Sequence, residues 1–226
     1  MFMQRTITYL LAALAGLLIL TELYYIFLKL NDEVSQGAVY RIMFFHIPAA
    51  MMDFLMYFVA LVASIGFLVT KKYSYDSVAV SAVEVGTMFC ALNLITGSIW
   101  GREAWGIWWA WDARLTSQLI CFLLYAGYLI LRPAIEDPTQ RATFAAVLAI
   151  FSFADVPIVY FSIQWWRTQH PAPVLTTGGL APEMKAPLYG MMLAFILLGT
   201  ALMMVRLRQE SITREIDSLR RQAHAM

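Results

Sequence analysis

Charge is scarce in this chain: 14% of its 226 residues are Asp, Glu, Lys or Arg, against 61% that are hydrophobic. With a mean hydropathy of +0.66, this composition excludes a water-soluble domain of its length and puts the chain in a bilayer. The net charge of +1 carries no basic excess, so no nucleic-acid partner is expected. Cysteine is nearly absent. Cys90 and Cys121 form no C-x-x-C pair and fall inside apolar runs, which argues against thiol–disulfide chemistry and for packing roles. No internal repeat, low-complexity linker or separate soluble domain is visible.

Apolar runs are plentiful instead. Crossing the hydrocarbon core takes about 20 residues, and six candidate spans fall near Ile7–Leu28, Ile42–Thr70, Val78–Ile99, Leu115–Leu131, Thr143–Ile163 and Pro187–Val205. The first imitates a signal peptide, with Arg5 before it and "ALAG" within it. Its apolar run is longer than the roughly 7–15 residues of a signal core, so it reads as a membrane helix. The expectation is an all-α integral membrane protein, with six transmembrane helices over 1–205 and a charged cytoplasmic tail over 206–226.

Six spans put both termini and the even-numbered loops on one side. That side holds Arg5, Lys71, Lys72, Arg132, Arg141, Arg206, Arg208, Arg214, Arg220 and Arg221. The other holds Lys29, Arg41, Arg102, Arg114, Arg167 and Lys185. Because cytoplasmic flanks are enriched in Lys and Arg, both termini are expected inside.

Tryptophan is distributed unevenly. Five of seven lie in "WGREAWGIWWAWDARLT", Trp100 to Thr116, between spans three and four, and Trp165 and Trp166 follow span five. All seven therefore fall on the outer side, whereas an aromatic belt decorates both interfaces. Read as a helix, Trp105, Trp108, Trp109 and Asp112 stand at i, i+3, i+4 and i+7 and share one stripe. That stripe suits a partner-binding amphipathic helix or a platform for a large planar ligand.

Histidine separates these readings. Of the three present, His46 and His170 lie on the tryptophan side and His224 lies in the charged tail, where solvation is the simpler reading. Either of the first two alone is an ordinary hydrogen-bonding residue at a membrane boundary. As a pair flanking an aromatic platform they can ligate a haem iron from both faces, with arginines pairing with the propionates. Arg41, Arg102, Arg114, Arg167 and Lys185 are the outer cations available to a dianionic ligand.

The tryptophan segment, together with "YRIMFFHIPAA" (Tyr40–Ala50) and "WWRTQHPAP" (Trp165–Pro173), resembles the cytochrome c maturation protein C family, also called haem exporter protein C. The resemblance covers residues 37–190; the first span and the tail agree only in kind. It implies haem b bound transiently on the periplasmic side of a bacterial inner membrane, with His46 and His170 as axial ligands. Trp100, Trp105, Trp108, Trp109, Trp111 and Asp112 would form the platform and its acidic anchor, and Arg41 and Arg114 would serve propionates or a polar network. It further implies delivery to a membrane-tethered haem chaperone, beside ATP-binding cassette transporter subunits and a small single-span protein. Bond-making on the haem falls to the chaperone, so no catalytic residue is expected here.

Larger cytochrome c synthetases share the tryptophan signature but add histidines within the membrane, and no histidine of this chain lies deep in a span. The lack of C-x-x-C-H excludes covalently attached haem. Two other classes stay open: a b-type cytochrome passing electrons to or from quinone, and a haem-translocating transporter subunit. Against the first stands the absence of histidine pairs within the bilayer, and against the second the absence of an inverted repeat.

Three carboxylates, Asp53, Glu84 and Asp155, fall within spans, where they are expected to pair with Arg or hydroxyl groups or to form a polar track. Pro157 should kink span five and offer freed backbone groups to Asp155. Prolines 171, 173, 182 and 187 make the third outer loop turn-rich.

Overall fold

The structure, a computed structural model, describes residues 2–171 and 173–224, without the side chains of 2–4, 176, 177 and 224. Ala225 and Met226 of the tail, Ala172 of the third outer loop and the side chain of His224 lie outside the described residues. Among these residues the elements are all helical: α1 (Phe2–Leu28), α2 (Met43–Thr70), α3 (Tyr73–Trp105), α4 (Ala113–Leu131), α5 (Pro138–Phe153), α6 (Asp155–Trp165), α7 (Val174–Thr177) and α8 (Pro182–His224). Six helical segments are long and apolar enough to cross a membrane, with α5 and α6 together making the fifth. This is the six-span, all-helical architecture expected from hydropathy. Helix α8 runs on past Val205 into the charged tail, so the tail from Arg206 to His224 extends the sixth span as helix.

Span five is divided rather than merely bent. Helix α5 closes at Ala154, whose N–H donates to Phe151 O, and α6 begins at Asp155. The ring of Pro157 collides with the carbonyl four residues back and removes one helical N–H, so the ladder breaks a turn before the proline. Asp155 stands at that break, yet its Oδ2 has no hydrogen-bond partner among the described residues.

Helices α2 and α3 form the central pair, with a core on each side. One core joins them to α1 and α8 through Phe44, Met52, Phe89, Leu188 and Met191. The other joins them to α4, α5 and α6 through Tyr57, Val83, Tyr125, Ala149 and Val159. Helix α5 turns Ala142, Ala145, Ala146, Ala149 and Ser152 inward, small residues that let membrane helices approach closely where no hydrophobic force drives them together. Peripheral α1 leaves Tyr9, Leu10, Leu17 and Leu20 exposed, an inside-out distribution suited to lipid.

At the tail end of the bundle, Asp76 on α3 accepts two parallel hydrogen bonds from Arg132, at 2.7 and 2.9 Å. Arg214 on α8 pairs with the same carboxylate, and Arg206 pairs with Glu84. Glu84 thus finds the arginine partner expected of an intramembrane carboxylate. Asp53 does not: its Oδ2 accepts from the amide of Gln118 at 2.9 Å.

Candidate functional site

The opposite end of the bundle holds a cavity of about 970 Å³ between α2, α3, α4 and the loops after α1 and α6. That volume lies at the upper end of ligand pockets, about 300–1,000 Å³. His46 comes to it from the first turn of α2 and His170 from the loop after α6. Their ring centroids are 6.3 Å apart, with planes inclined by 33°. Two imidazoles on opposite sides of one metal stand about 6 Å apart, given a metal–nitrogen bond of about 2 Å and about 1 Å from nitrogen to ring centre.

Hydrogen bonding fixes the tautomer of both rings. His170 Nδ1 lies 2.8 Å from Pro171 O, and a carbonyl only accepts, so Nδ1 carries the proton and Nε2 keeps its lone pair. Thr96 Oγ1 donates to Leu92 O at 2.7 Å and meets His46 Nδ1 at 3.1 Å. With the hydroxyl proton already placed, Thr96 accepts from His46 Nδ1–H, and His46 Nε2 is again the basic nitrogen. Burial, and then the positive charge of Arg114, hold His170 below its ordinary pKa, so it is neutral at pH 7.

Helix α3 supplies the wall behind His46. A Cβ at Gly97 would stand 3.0 Å from His46 Cε1, a tight contact that would push the ring aside, so the glycine lets the ring pack directly on α3. Asn93 Nδ2 donates to His46 O at 3.1 Å. Trp100 meets the His46 ring edge-on, with centroids 5.8 Å apart. Its Nε1 donates to Gln36 Oε1 at 2.7 Å. Gln36 is presented by a tight turn whose backbone N–H groups at Ser35 and Gln36 both donate to the Glu33 carboxylate. The Ser35 hydroxyl, which donates to the same carboxylate, and then those backbone bonds hold Glu33 below the usual carboxylate range.

A scan against family models matches residues 1–222 to a family described as Heme exporter protein C. The chain belongs to the haem exporter protein C family. The protein of that name from Bradyrhizobium diazoefficiens is 42% identical over 191 residues, 83% of this chain and 73% of that protein. The one from Escherichia coli K12 is 36% identical over 177 residues, 78% and 72% of the two chains. The Paracoccus denitrificans protein is 35% identical over 192 residues, 83% and 80%.

In this member of the haem exporter protein C family, the single helical stripe expected over Trp105–Asp112 does not form. Gly106 adopts the left-handed conformation, φ 76°, and donates its N–H to Arg102 O, ending α3 at Trp105. This is the ordinary helix stop at a glycine. Residues 106–112 then run as an irregular strap. Trp100, Trp105 and Trp109 line the cavity, while Trp108 and Trp111 are 61% and 77% exposed. Trp109 Nε1 is buried and has no hydrogen-bond partner among the described residues, a donor in the cavity wall.

Asp112 begins α4 as its N-cap, accepting from Leu115 N at 2.9 Å. Its second oxygen accepts from the Thr168 hydroxyl and, at 3.0 Å, from Gln169 N, while Thr168 Oγ1 in turn accepts from His170 N at 3.1 Å. Asp112 therefore positions the loop that carries His170.

The two expected arginines differ. Arg41 reaches the cavity wall, but it is buried and donates to Ile26 O, Leu30 O, Ala38 O and Asp32, so its hydrogen bonds go to securing the end of α1. Arg114 lines the cavity, donates to Val159 O and makes no ion pair among the described residues. Arg102 closes on Gly106 O, and Arg167 and Lys185 are exposed. Sequence reasoning missed Asn93, Thr96 and Gly97. Their signal was a polar pair spaced i, i+3 within an apolar span, one turn before Trp100.

Proposed function

We propose that the chain handles haem in cytochrome c maturation: it holds haem b transiently between His46 and His170 and delivers it to a membrane-tethered chaperone. The observation that carries this reading is the pair of rings at single-metal spacing, each with Nδ1 occupied. His170 Nε2 has no hydrogen-bond partner among the described residues, and His46 Nε2 is met only by the Asn93 amide at 3.5 Å, a contact long enough to yield to a metal. Trp100, Trp105 and Trp109 supply the apolar wall for a planar macrocycle. Arg114 supplies the charge for a propionate. Arg41 and Asp112 act through position, and exposed Trp108 and Trp111 face outward from the cavity mouth.

Cargo must leave, so ligation from a loop on one side suits release better than two helix-borne ligands. The same reading sets both termini in the cytoplasm of a bacterial inner membrane and the cavity on the periplasmic side. Transporter subunits and a small single-span protein complete the assembly, and no catalytic step falls to this chain.

The visible absorption spectrum of the detergent-purified protein, with and without the chaperone co-expressed, tests this. A six-coordinate, low-spin haem spectrum is expected, stronger when the chaperone is absent. A permanent redox haem would be insensitive to the chaperone, and a protein that takes up no haem would refute the reading.

Two quantitative expectations follow from the hydrogen bonds. Thr96→Val deprives His46 Nδ1–H of its acceptor and should weaken haem affinity roughly 10–100-fold, as loss of an outer-shell partner typically does. Thr96→Ser should restore it in a haem titration; equal affinities for all three would remove Thr96 from the site. Ligation needs neutral imidazole, and burial beside Arg114 depresses the pKa of His170. Haem retention should therefore hold as pH falls through the ordinary histidine value of about 6.5 and fail only at more acid pH. Half-loss of the low-spin spectrum at or above that value would contradict this placement of His170.

A further inference from the structure

One side chain below the cavity floor lies a carboxyl that the ligation scheme does not use. Asp53 on α2 is completely enclosed. Gln118 on α4 lines the cavity and donates its amide to Asp53 Oδ2 at 2.9 Å. The same amide nitrogen lies 3.1 Å from Cys90 Sγ on α3. Asp53 Oδ1 has no partner among the described residues.

The neighbours offer polarity without a balancing charge. Tyr57 on α2 stacks on Tyr125 of α4, with centroids 3.6 Å apart. Their hydroxyls, and that of Thr87 on α3, are buried and unpartnered among the described residues. Cys121 of α4 faces the same cluster, and Asp155 of α6 lies beyond it. The cation that acts on Asp53 among the described residues is Arg114, one turn above Gln118, and no ion pair joins it to the carboxylate there. A charge entering the cavity is screened weakly across so short and apolar a gap. Proton binding at Asp53 and charge in the cavity are therefore linked, and linkage is reciprocal.

We propose that Asp53 is a proton-binding site coupled to the charge of the haem held above it. When the iron gains one electron from an external one-electron reductant, Asp53 takes one proton from water through the cavity onto a carboxylate oxygen. Reoxidation returns both, and no bond other than O–H is made or broken. The proposal rests on the reading that His46 and His170 hold haem. It makes the oxidation state in which haem is offered depend on pH.

The test is a redox titration of the haem-loaded full chain with dithionite, across roughly pH 5 to 9, a window around the ordinary histidine range. The reduction equilibrium should fall by up to tenfold per pH unit over part of this range, about 59 mV for a one-electron couple. Asp53→Asn should flatten the dependence, and Asp155→Asn should keep it. A pH-independent wild-type potential, or an unchanged dependence in Asp53→Asn, overturns the proposal while leaving the ligation reading intact. Should Asp53→Asn fail to fold, the reduced-minus-oxidised infrared difference spectrum of wild type decides. A deuterium-sensitive band of a protonated carboxylic acid, retained in Asp155→Asn, is expected, and its absence overturns the proposal. A wild-type protein without bis-histidine haem overturns both.

Discussion

Replacing either His46 or His170 with alanine is expected to turn a six-coordinate haem spectrum into a five-coordinate one. Haem retention should weaken by more than the roughly 10–100-fold that follows loss of an outer-shell partner. The two variants should differ in what they leave behind. His170 comes from a loop, and its removal leaves the helix-borne ligand with its Thr96 bond in place. His46 is packed between Gly97, Asn93 and Trp100, and its removal opens a space that added imidazole can enter. Free imidazole should therefore restore six-coordination to His46→Ala most readily. If both variants kept the wild-type spectrum, the ligand assignment would fail, and the tryptophan segment would have to be reread as a docking surface for a protein.

The second large effect belongs to the far end of the bundle. Asp76→Ala removes the carboxylate that joins Arg132 of the α4 terminus to Arg214 of α8, with Asp76 only 3% exposed. Breaking a buried pair by deleting one partner costs about 3–5 kcal/mol, here because Arg132 is left without its carboxylate, whereas Arg214 keeps Glu210 at 2.9 Å. For a chain of this size that is a fall in melting temperature of roughly 10 °C, readable by thermal unfolding in detergent. The haem spectrum of the folded fraction should not change, since the histidines lie at the other end. An unchanged melting temperature would mean that solvent reaches and screens both guanidinium groups.

Length and hydropathy made the six spans legible, because the bilayer imposes a single repeated requirement on every crossing segment. The histidines and tryptophans were legible as a gathering at one end but not as a geometry. Trp105, Trp108, Trp109 and Asp112 have perfect helical spacing, yet Gly106 stops the helix and Asp112 starts the next one. Both signals are local, a glycine just past an apolar run and an Asp three residues before Leu115, and they outrank periodicity. The roles of Arg41, Asp112 and Thr96 depend on partners 15, 57 and 50 residues away, and no window along the chain brings those together. Asp53 and Glu84 show the same limit: both are intramembrane carboxylates, and only the packing reveals that one meets an arginine and the other an amide.

One carboxylate at Asp112 fastens two things, the first turn of α4 and the loop bearing His170. A pull on that loop loads the cap of the helix that carries Arg114, so the proposed axial ligand and the proposed propionate cation are not independent grips. They share a buckle. On the proposed function, grasp and surrender of the cargo become two settings of the same clasp, and drawing the loop outward would open both holds in one motion.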